Sequence, residues 1–368
     1  MGLMKRLGRR FSRVVRPLWK IVVAGDRIAH VPGAIRASWR TSASPIATPE
    51  LTGANLLPDA EARRQATYSA PEAVVAILEG VRFDARHHVV LTGRRRLLVD
   101  SVNTGDERHL VGLRHLVYPR EVPLSGTFTA FRSYQNTHYH TLIDNLPRLY
   151  LLHPARAALG VEAEVLCGSP LSPAEAWLLP LLAPPGTRVR QVDPALRYRV
   201  ERFVFLGFLT RPFAGWLPPE YLEWFRERVV PTRPPGRHRR IWISRRVIGD
   251  RHMRNVVNES AVIDALAPFG FEAVRLEGMT TPQQIELFYD AEMVIAPHGA
   301  GLANLVFGTG AQVLELFPSR WVVPHYYLLA KACGHGYAWL NAHGRHRDSN
   351  FTASVADIVR QVRRWESA

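Results

Sequence analysis

The sequence has few of the residues that crosslink a chain or bind metals. Its 368 residues include two cysteines, Cys167 and Cys333, which excludes a disulfide framework, and no Cys/His cluster has the spacing of a zinc site. So few cysteines favour a reducing, intracellular compartment. Lysine is also scarce: there are three, and arginine supplies the remaining 44 of the 47 basic side chains.

Long hydrophobic runs are missing as well. In the first 40 residues the longest apolar run, residues 18–24, is interrupted by Lys20 and is far shorter than the roughly 20 residues of a membrane span. The run is also too short for a secretory signal, and no small-x-small cleavage site follows it closely. The sequence therefore predicts no transmembrane helix and a cytoplasmic location. Its 47% hydrophobic content is ample for a sizeable core.

The net charge of +15 is concentrated in two places. Residues 1–40 carry ten basic side chains against one acid, and residues 237–254 carry seven arginines against one acid, so the rest of the chain is neutral. The overall charge is therefore weak support for nucleic-acid binding. Apolar residues recur at helical spacing in the basic tail, which fits a helix lying on an acidic membrane surface. A solvated basic tail is the alternative.

The chain length and the alternation of predicted strands with predicted helices indicate an α/β protein of about two domains. The predicted parts are a basic tail or surface helix at 1–40, a Ser/Thr/Pro/Gly-rich linker at 41–60, an α/β domain at 61–230, a hinge at 231–239, a second α/β domain at 240–345, and a helix at 346–368. Whether this last helix packs back on the first domain is left open. The hinge is placed at 231–239 because its proline, glycine and polar residues interrupt both helical and strand periodicity.

In the second domain strands and helices alternate regularly, which predicts a parallel sheet. The expected strands are 240–244, 271–276, 293–296 and 313–317, and the expected helices are 259–268, 282–291 and 302–307. Thr281 is expected to cap its helix, with Gln284 as the capping-box partner. In the first domain the pattern predicts strands at 97–99, 127–129, 165–167 and 203–205, and helices at 139–152, 173–182 and 218–228.

The sharpest local feature is an apolar strand that runs through a small-residue turn into a helix. The turn is His298-Gly299-Ala300-Gly301, followed by Asn304. Backbone amides at such a turn can hold a phosphate at a helix N-terminus; packing of the helix against the strand is the alternative. The turn lacks the glycine spacing of a nicotinamide fingerprint and the GK[ST] of a P-loop, so both sites are disfavoured.

A run of arginines surrounds the first strand of the same domain. Arg245 and Arg246 lie at its carboxyl end, on the same sheet edge as the glycine turn, and guanidinium groups match phosphate oxygens in a fork geometry. The remaining arginines, such as Arg237 and Arg239, are expected to form a solvated basic face. Nucleic acid is the rival ligand for such a cluster, but no zinc finger, RNP or helix-turn-helix pattern accompanies it.

Three further places carry polar residues with more than one interpretation. His140 and Asp144 are an i,i+4 pair in a predicted helix, which fits either a general base or a helix-stabilising contact. A metal site here lacks a third ligand. Glu315 is a lone acid in an apolar strand. Such an acid often accepts hydrogen bonds from ribose hydroxyls in nucleotide-binding folds, and a structural ion pair is the alternative. Asn258 caps a helix that Glu259 begins.

Taken together, several motifs resemble glycosyltransferase family 61. They are Ile243-Ser-Arg-Arg246, Arg254-Asn-Val-Val-Asn258-Glu259, Glu286-Leu-Phe, His298-Gly-Ala-Gly301 with Asn304, Glu315-Leu-Phe-Pro318, and His140-x-x-x-Asp144-x-Leu-Pro147-Arg148-Leu. The resemblance implies a GT-B fold, in which two Rossmann-like α/β domains face a cleft and the C-terminal domain has a parallel sheet. It makes 61–230 the acceptor side and 240–345 the nucleotide-sugar side.

The resemblance also implies roles for these residues. Arg245, Arg246, Asn304 and the turn from His298 to Gly301 would hold the nucleotide diphosphate, with Glu315 near the ribose. Asp144 or His140 would be the base that activates the acceptor. Arg148, Arg254, Asn258 and Glu259 are further candidates from the same motifs.

The expected activity is inverting transfer of a sugar from a nucleotide sugar, a UDP-sugar first of all, to a hydroxyl of a glycan or lipid-linked glycan. Bacterial relatives suggest a role in cell-surface or capsular polysaccharide synthesis. No metal or other cofactor is expected, because arginine and a helix N-terminus can stabilise the leaving diphosphate. The alternatives are a polyanion- or nucleic-acid-binding protein and a catalytically inactive scaffold with a transferase fold.

Overall fold

The computed structural model describes residues 24–31, 33–39, 46–47, 67–68, 70–93, 96–102, 120–211, 214–245, 254–318, 322–342 and 350–367. Residues 1–23 of the segment predicted as a basic tail or surface helix lie outside these ranges, as do Arg246 and all of the linker except residues 46–47. The described part of that segment, residues 24–31 and 33–39, forms two short strands and a 3-10 turn instead of a helix. The chain forms two compact units. The first comprises residues 1–40, 72–136 and 144–212, and the second comprises residues 41–71, 137–143 and 213–368.

The first unit contains a mixed sheet. Its strands in the described ranges are β1 Ala24–Asp26, β2 Ile35–Trp39, β5 Ala73–Glu79, β6 Arg82–Asp84, β7 Val89–Gly93, β8 Arg96–Leu98, β9 Glu121–Thr129, β10 Glu164–Cys167, β11 Val189–Gln191 and β12 Arg197–Leu206. The main order is β1-β8-β7-β6-β12-β9-β10-β11, with β5 joining β2 to β12. The run β12-β9-β10-β11 is parallel, whereas β12 pairs antiparallel with β5 and β6. The sheet is therefore mixed, unlike the fully parallel sheet of a Rossmann-like domain.

Aromatic and aliphatic side chains from the central strands fill the core of the first unit. Phe83, Phe128, Phe203 and Leu166 are at most 2% exposed. Two helices, Leu152–Leu159 and Pro173–Leu182, belong to this unit. The second begins with a capping box in which Ser172 accepts from the Glu175 amide.

The sequence predicts one helix at 139–152, but the structure divides it into four pieces. An α-turn at His138–His140 leads into a π-helix at Thr141–Asn145, then a 3-10 helix at Leu146–Leu151, then the α-helix Leu152–Leu159. Pro147 has no amide hydrogen to donate to the preceding turn, which favours a break in the α-helical hydrogen bonds there. The α-turn and the first residues of the π-helix belong to the second unit, and the rest belongs to the first.

The second unit contains a five-stranded parallel sheet, as the alternation predicted. Its strands are β13 Arg239–Ile243, β14 Phe271–Val274, β15 Ala291–Pro297, β16 Gln312–Phe317 and β17 Gly336–Asn341, and a short hairpin pairs β3 Ile46–Ala47 with β4 Thr67–Tyr68. Every neighbouring pair in the order β14-β13-β15-β16-β17 is parallel. The α/β fold class and the parallel C-terminal sheet are therefore confirmed.

Helices cover this sheet. Their bounds are Pro219–Val229, Glu259–Leu266, Thr281–Tyr289, His325–Cys333 and Val355–Glu366, with a 3-10 helix at Ala300–Phe307. The last α-helix packs in the second unit, where Ile358 and Val362 share a buried cluster with Trp242 and Val262. Arg240 also holds Glu366 at 2.7 Å. No helix in the described ranges is long and apolar enough to cross a membrane.

The predicted cap of the helix Thr281–Tyr289 is wrong by one residue. The N-cap is Thr280, whose hydroxyl accepts from the Gln283 amide while the Gln283 side chain accepts from the Thr280 amide. Gln284, the expected partner, instead donates its side-chain amide to the carbonyl groups of Leu276 and Met279. A tertiary use of Gln284 therefore shifts the capping box.

The segment predicted as a hinge is fastened to the second unit at one point. Arg233 forms a bidentate pair with the Asp290 carboxylate at 2.6 and 2.8 Å, and Asp290 also accepts from the Gly236 amide at 2.6 Å. These contacts hold the pKa of Asp290 down at about 2, with the Arg233 hydrogen bonds as the largest cause. The residues before β13 are thus tied to the end of the helix Thr281–Tyr289.

Candidate functional site

The strand order of the second unit fixes where a ligand can bind. From β13 the chain goes first to β14 on one side and then to β15 on the other, so the connections diverge between β13 and β15. In open parallel sheets ligands bind at the carboxyl ends of the strands beside such a switch point. A cavity of about 260 Å³ lies there, and its lining includes residues that follow β13, β14 and β15.

Arg245 supplies positive charge to this cavity. It follows β13, and its Nη1 donates to the His298 carbonyl at 2.7 Å. Burial lowers the pKa of Arg245, while Tyr326 and Glu277 act in the opposite direction. The half-buried guanidinium is charged at neutral pH, since its ordinary pKa of 12.5 is far above 7.

The two glycines of the turn after β15 have different packing tasks. A Cβ on Gly299 would lie 1.2 Å from Nη1 of Arg245, so the guanidinium occupies the space of a side chain. A Cβ on Gly301 would lie 2.9 Å from the Leu276 side chain. The Gly-x-Gly turn thus packs the helix against its neighbours and also makes room for the arginine. Both interpretations left open by the sequence have physical support here.

The His298 ring forms a hydrogen bond with the buried carboxyl group of Glu315. The His298 Nδ1 bonds to one carboxyl oxygen of Glu315, and the Tyr337 hydroxyl donates to the other at 2.6 Å. Burial raises the pKa of Glu315 to about 8, and burial, with Arg254 and Arg245 adding to it, lowers the pKa of His298 well below its usual range. The His298 ring is neutral at pH 7, and Glu315 fixes its orientation.

Glu315 is completely buried, and both of its carboxyl oxygens serve these internal contacts. The contacts do not test its predicted place near a ribose, which stays a prediction. They do give Glu315 a part in orienting the turn after β15, because His298 is the first residue of that turn.

The side chains of Asn304 and Gln284 form a hydrogen-bonded pair along another side of the cavity. Asn304 is fully buried; its Oδ1 bonds to the His138 Nε2 at 2.9 Å, and its Nδ2 donates to the Gln284 Oε1 at 3.0 Å. Gln284 in turn holds the carbonyl groups of Leu276 and Met279. Asn304 therefore organises the cavity wall, and His138 lines it. Burial lowers the pKa of His138, so its ring is neutral at pH 7.

No place in a ligand site is predicted from the sequence for His138, Gln284 or Glu277, although all three line the cavity. His138 is considered there only as a metal ligand with His140 and Asp144, and its position two residues before His140 is the signal that could have found it. Gln284 is expected only as a capping-box partner, and nothing in the local pattern distinguishes Glu277 from a surface residue. Their place depends on the strand order.

Aromatic rings pack beside His298 at the same sheet edge. Tyr326 lies 5.3 Å from the His298 ring, and His325 stacks on Tyr139 with centroids 5.5 Å apart. Burial is the main reason that the pKa of His325 is lowered to about 3, and the nearby Arg254 adds to the effect. His140 makes an edge-on contact with Tyr139 at 5.1 Å. No role is predicted for His325 or Tyr326 from the sequence.

Arg254 is electrostatically coupled to Arg245. Burial lowers the pKa of Arg254, and the positive charge of Arg245 lowers it further. An anion bound near both guanidinium groups would relieve this repulsion. Arg246, predicted beside them, lies outside the described residues.

Asn258 and Glu259 are used inside the protein. Asn258 is the N-cap residue, but its side chain makes no cap hydrogen bond; it pairs in both directions with the Ala353 backbone at 2.9 Å. The Glu259 carboxylate accepts from the Trp242 indole at 2.9 Å. The two side chains thus tie the strand β13 and the segment before the last helix to the helix Glu259–Leu266.

Two candidates, Asp144 and Arg148, lie in the first unit. The buried Arg148 guanidinium donates to three carbonyl groups at the ends of β9 and β12, those of Phe131, Arg132 and Leu206. Burial lowers the pKa of Arg148 to about 9, and the Asp144 charge opposes that change. Asp144 is 2% exposed. Arg148 therefore anchors the 3-10 helix to the sheet.

No group of three or more His, Cys, Asp or Glu side chains is placed to hold a metal ion within the described ranges. The cavity instead offers one guanidinium, one neutral imidazole, one carboxylate and the backbone of a glycine turn. That set suits a polar ligand with an anionic part.

Comparison with known proteins agrees with the motifs. The sequence profile of the family Glycosyltransferase 61 matches residues 138–314, which include the α-turn with His138, the strand β13, the glycine turn and the first half of β16. No sequence among the curated proteins matches the chain at a significant level. The family predicted from the motifs is confirmed over this region: residues 138–314 of the chain match glycosyltransferase family 61.

Proposed function

We propose that the protein is an inverting glycosyltransferase that binds a nucleotide sugar at the carboxyl edge of the second unit's parallel sheet. One observation carries the proposal: the Arg245 guanidinium is packed on Gly299 and bonded to the His298 carbonyl at the switch-point cavity. A charged guanidinium beside a turn of backbone amides is suited to a diphosphate. The family match supports the sugar-transfer chemistry.

In this proposal Arg245, the turn from Gly299 to Gly301 and Arg254 neutralise the charge that develops on the leaving diphosphate. Such preorganised donors stabilise the transition state without reorganising during the reaction. A metal ion is then unnecessary. Retained turnover in EDTA supports this part of the proposal, whereas loss in EDTA with recovery in Mn²⁺ or Mg²⁺ contradicts it.

The proposed chemistry is direct displacement at the sugar carbon. A base removes the proton of an acceptor hydroxyl as the bond to the diphosphate breaks, which inverts the configuration. His140 and Asp144 are the two candidates for the base. The acceptor is proposed to be a glycan or lipid-linked glycan of the cell surface or capsule, the donor a UDP-sugar, and the arrangement of the units GT-B.

The donor site is tested by thermal stabilisation. A ligand that binds only the folded protein raises the midpoint temperature of thermal unfolding. Whichever of UDP, GDP and CMP carries the recognised base should therefore raise the midpoint temperature of the wild type at millimolar concentration. Arg245→Ala should lose that shift. Arg364→Ala, which removes an exposed arginine on the last helix, should keep it. No shift of the wild type with any of these nucleotides would contradict the proposed donor site.

Ion pairing argues against the polyanion-binding alternative. Arg239 pairs with Glu272, and Arg240 pairs with Glu292 and Glu366. These arginines are therefore partly neutralised within the second unit. Polyanion binding would weaken steeply with salt and ignore UDP.

A scaffold without activity is separated from an enzyme by turnover. His140→Ala and Asp144→Asn should lower UDP release from a UDP-sugar, with acceptor present, if either residue is the base. A scaffold would show no turnover to lose.

A further inference from the structure

A carboxylate lines the cavity just beyond the end of β14. Glu277 follows β14 by three residues and is the middle residue of the short 3-10 turn Leu276–Gly278. It lines the cavity and is exposed. Among the described residues, none forms a hydrogen bond or ion pair with its carboxylate.

The turn that carries Glu277 is held in place. The Leu276 side chain is 7% exposed, and its carbonyl accepts from the Met279 amide and from the Gln284 side chain, both at 3.0 Å. Gln284 is fixed in turn by Asn304. Glu277 thus extends from a preorganised turn, so little ordering is needed when a ligand binds.

The charge of Glu277 acts on the other polar groups of the cavity. It raises the pKa of Arg245 and that of His138, in each case against the larger effect of burial. The three side chains therefore share one electrostatic environment.

The order of the strands gives the cavity two ends. Arg245 and the glycine turn lie at the ends of β13 and β15, whereas Glu277 lies beyond the end of β14, on the other side of β13. A carboxylate repels phosphate but accepts hydrogen bonds from hydroxyl groups. The diphosphate end is thus separated from a hydroxyl-binding end, and an acid beyond the second strand is placed as in sheets that hold a ribose.

We propose that Glu277 accepts hydrogen bonds from the ribose 2′ and 3′ hydroxyls of the donor nucleotide and makes the site selective for ribonucleotides. The proposal rests on the proposed donor site and adds the residue that reads the sugar of the nucleotide. Glu315, the acid first considered for this task, uses both oxygens inside the protein.

The test compares ligands with and without those hydroxyls. Binding of UDP and of 2′,3′-dideoxy-UDP, and likewise of GDP and its dideoxy analogue, is measured by calorimetry. The wild type should bind the ribose form about tenfold or more tightly, as expected for hydrogen bonds to a charged group. Glu277→Ala should bring the ratio close to one, and Glu277→Gln should keep part of it, since an amide oxygen still accepts.

Pyrophosphate separates a ribose contact from a general charge effect. If Glu277 reads the ribose, Glu277→Ala leaves pyrophosphate affinity equal or higher while weakening UDP. Glu223→Ala, on the exposed face of the helix Pro219–Val229, removes the same charge elsewhere and should leave the ratio unchanged. Equal thermal midpoints show that the variants are folded.

Two outcomes overturn the inference in different ways. An unchanged ratio in Glu277→Ala, with UDP still bound through Arg245, refutes the role of Glu277 and leaves the donor site intact. Failure of the wild type to bind any of these nucleotides refutes the donor site, and the ribose contact with it.

Discussion

At the scale of single residues, the candidate site depends on one close contact between a side chain and a backbone. The Arg245 guanidinium lies where a side chain of residue 299 would be, so glycine is required there by space. The backbone φ of Gly299 is 171°, an extended value that any residue adopts. Strain therefore plays no part in the choice of glycine.

Gly299→Ala should displace the guanidinium and weaken nucleotide binding by about tenfold or more, the loss expected for hydrogen bonds to a charged group. The matched control is Gly278→Ala, because a Cβ on Gly278 meets nothing within 4 Å. Calorimetric titration with UDP measures both. Equal affinities for the two variants would contradict the role given to the Arg245 contact.

At the scale of elements, the sequence predicts strands and helices well and their details poorly. The alternation after residue 239 predicts the parallel sheet, because apolar strands and capped helices are local patterns. Two details are not predicted: the break in the helix near Pro147 and the N-cap at Thr280 instead of Thr281. The break includes a π-helix, which has no recognisable sequence pattern, and the Gln284 side chain is used in other hydrogen bonds of the fold.

The roles of buried polar residues are hidden for the same reason. Arg148, Asn304 and Glu315 are visible as motif members, but their hydrogen-bond partners come from distant parts of the chain. Glu277 has no local signal at all, since only the order β14-β13-β15 brings it to the cavity. Sequence motifs therefore predict the glycine turn and Arg245 as parts of the candidate site, whereas the positions of Glu277 and the other lining residues follow only from the tertiary structure.

The tie between Arg233 and Asp290 is an element-scale contact with a testable pH dependence. Asp290→Asn should lower the unfolding free energy at pH 7, because charge-assisted hydrogen bonds to Arg233 are lost. The folded pKa of about 2 is below the ordinary 3.8, so this stabilisation is present above pH 4 and is lost as the pH falls toward 2. Urea unfolding at pH 7 and pH 3 measures it. A variant that loses equal stability at both values would contradict the assignment.

At the scale of the whole molecule, buried titratable groups limit stability on both sides of neutrality. His325 and His335 have folded pKa values of about 3 and 4, below the ordinary 6.5, because burial disfavours their charged forms. Glu315 has a folded pKa of about 8, above the ordinary 4.5, for the same reason.

The thermal midpoint should therefore be highest near neutral pH. As the pH falls from 6.5 toward 4 the unfolded chain binds protons that the folded histidines do not, so stability falls. As the pH rises from 4.5 to 8 the folded Glu315 holds a proton that the unfolded chain has released, which lowers stability; the two histidines outweigh this effect below pH 6.5, and above pH 6.5 stability falls. Scanning calorimetry measures both slopes. Glu315→Gln should flatten the slope above pH 6.5 and steepen the slope below it, and an unchanged upper slope would contradict the pKa of Glu315.

The contact between Arg245 and Gly299 also constrains how the family can diverge. A residue larger than glycine fits at 299 only if residue 245 is shorter than arginine. Among related chains, an arginine at the position of Arg245 should therefore occur together with a glycine at the position of Gly299, although the two residues follow different strands and are far apart in sequence.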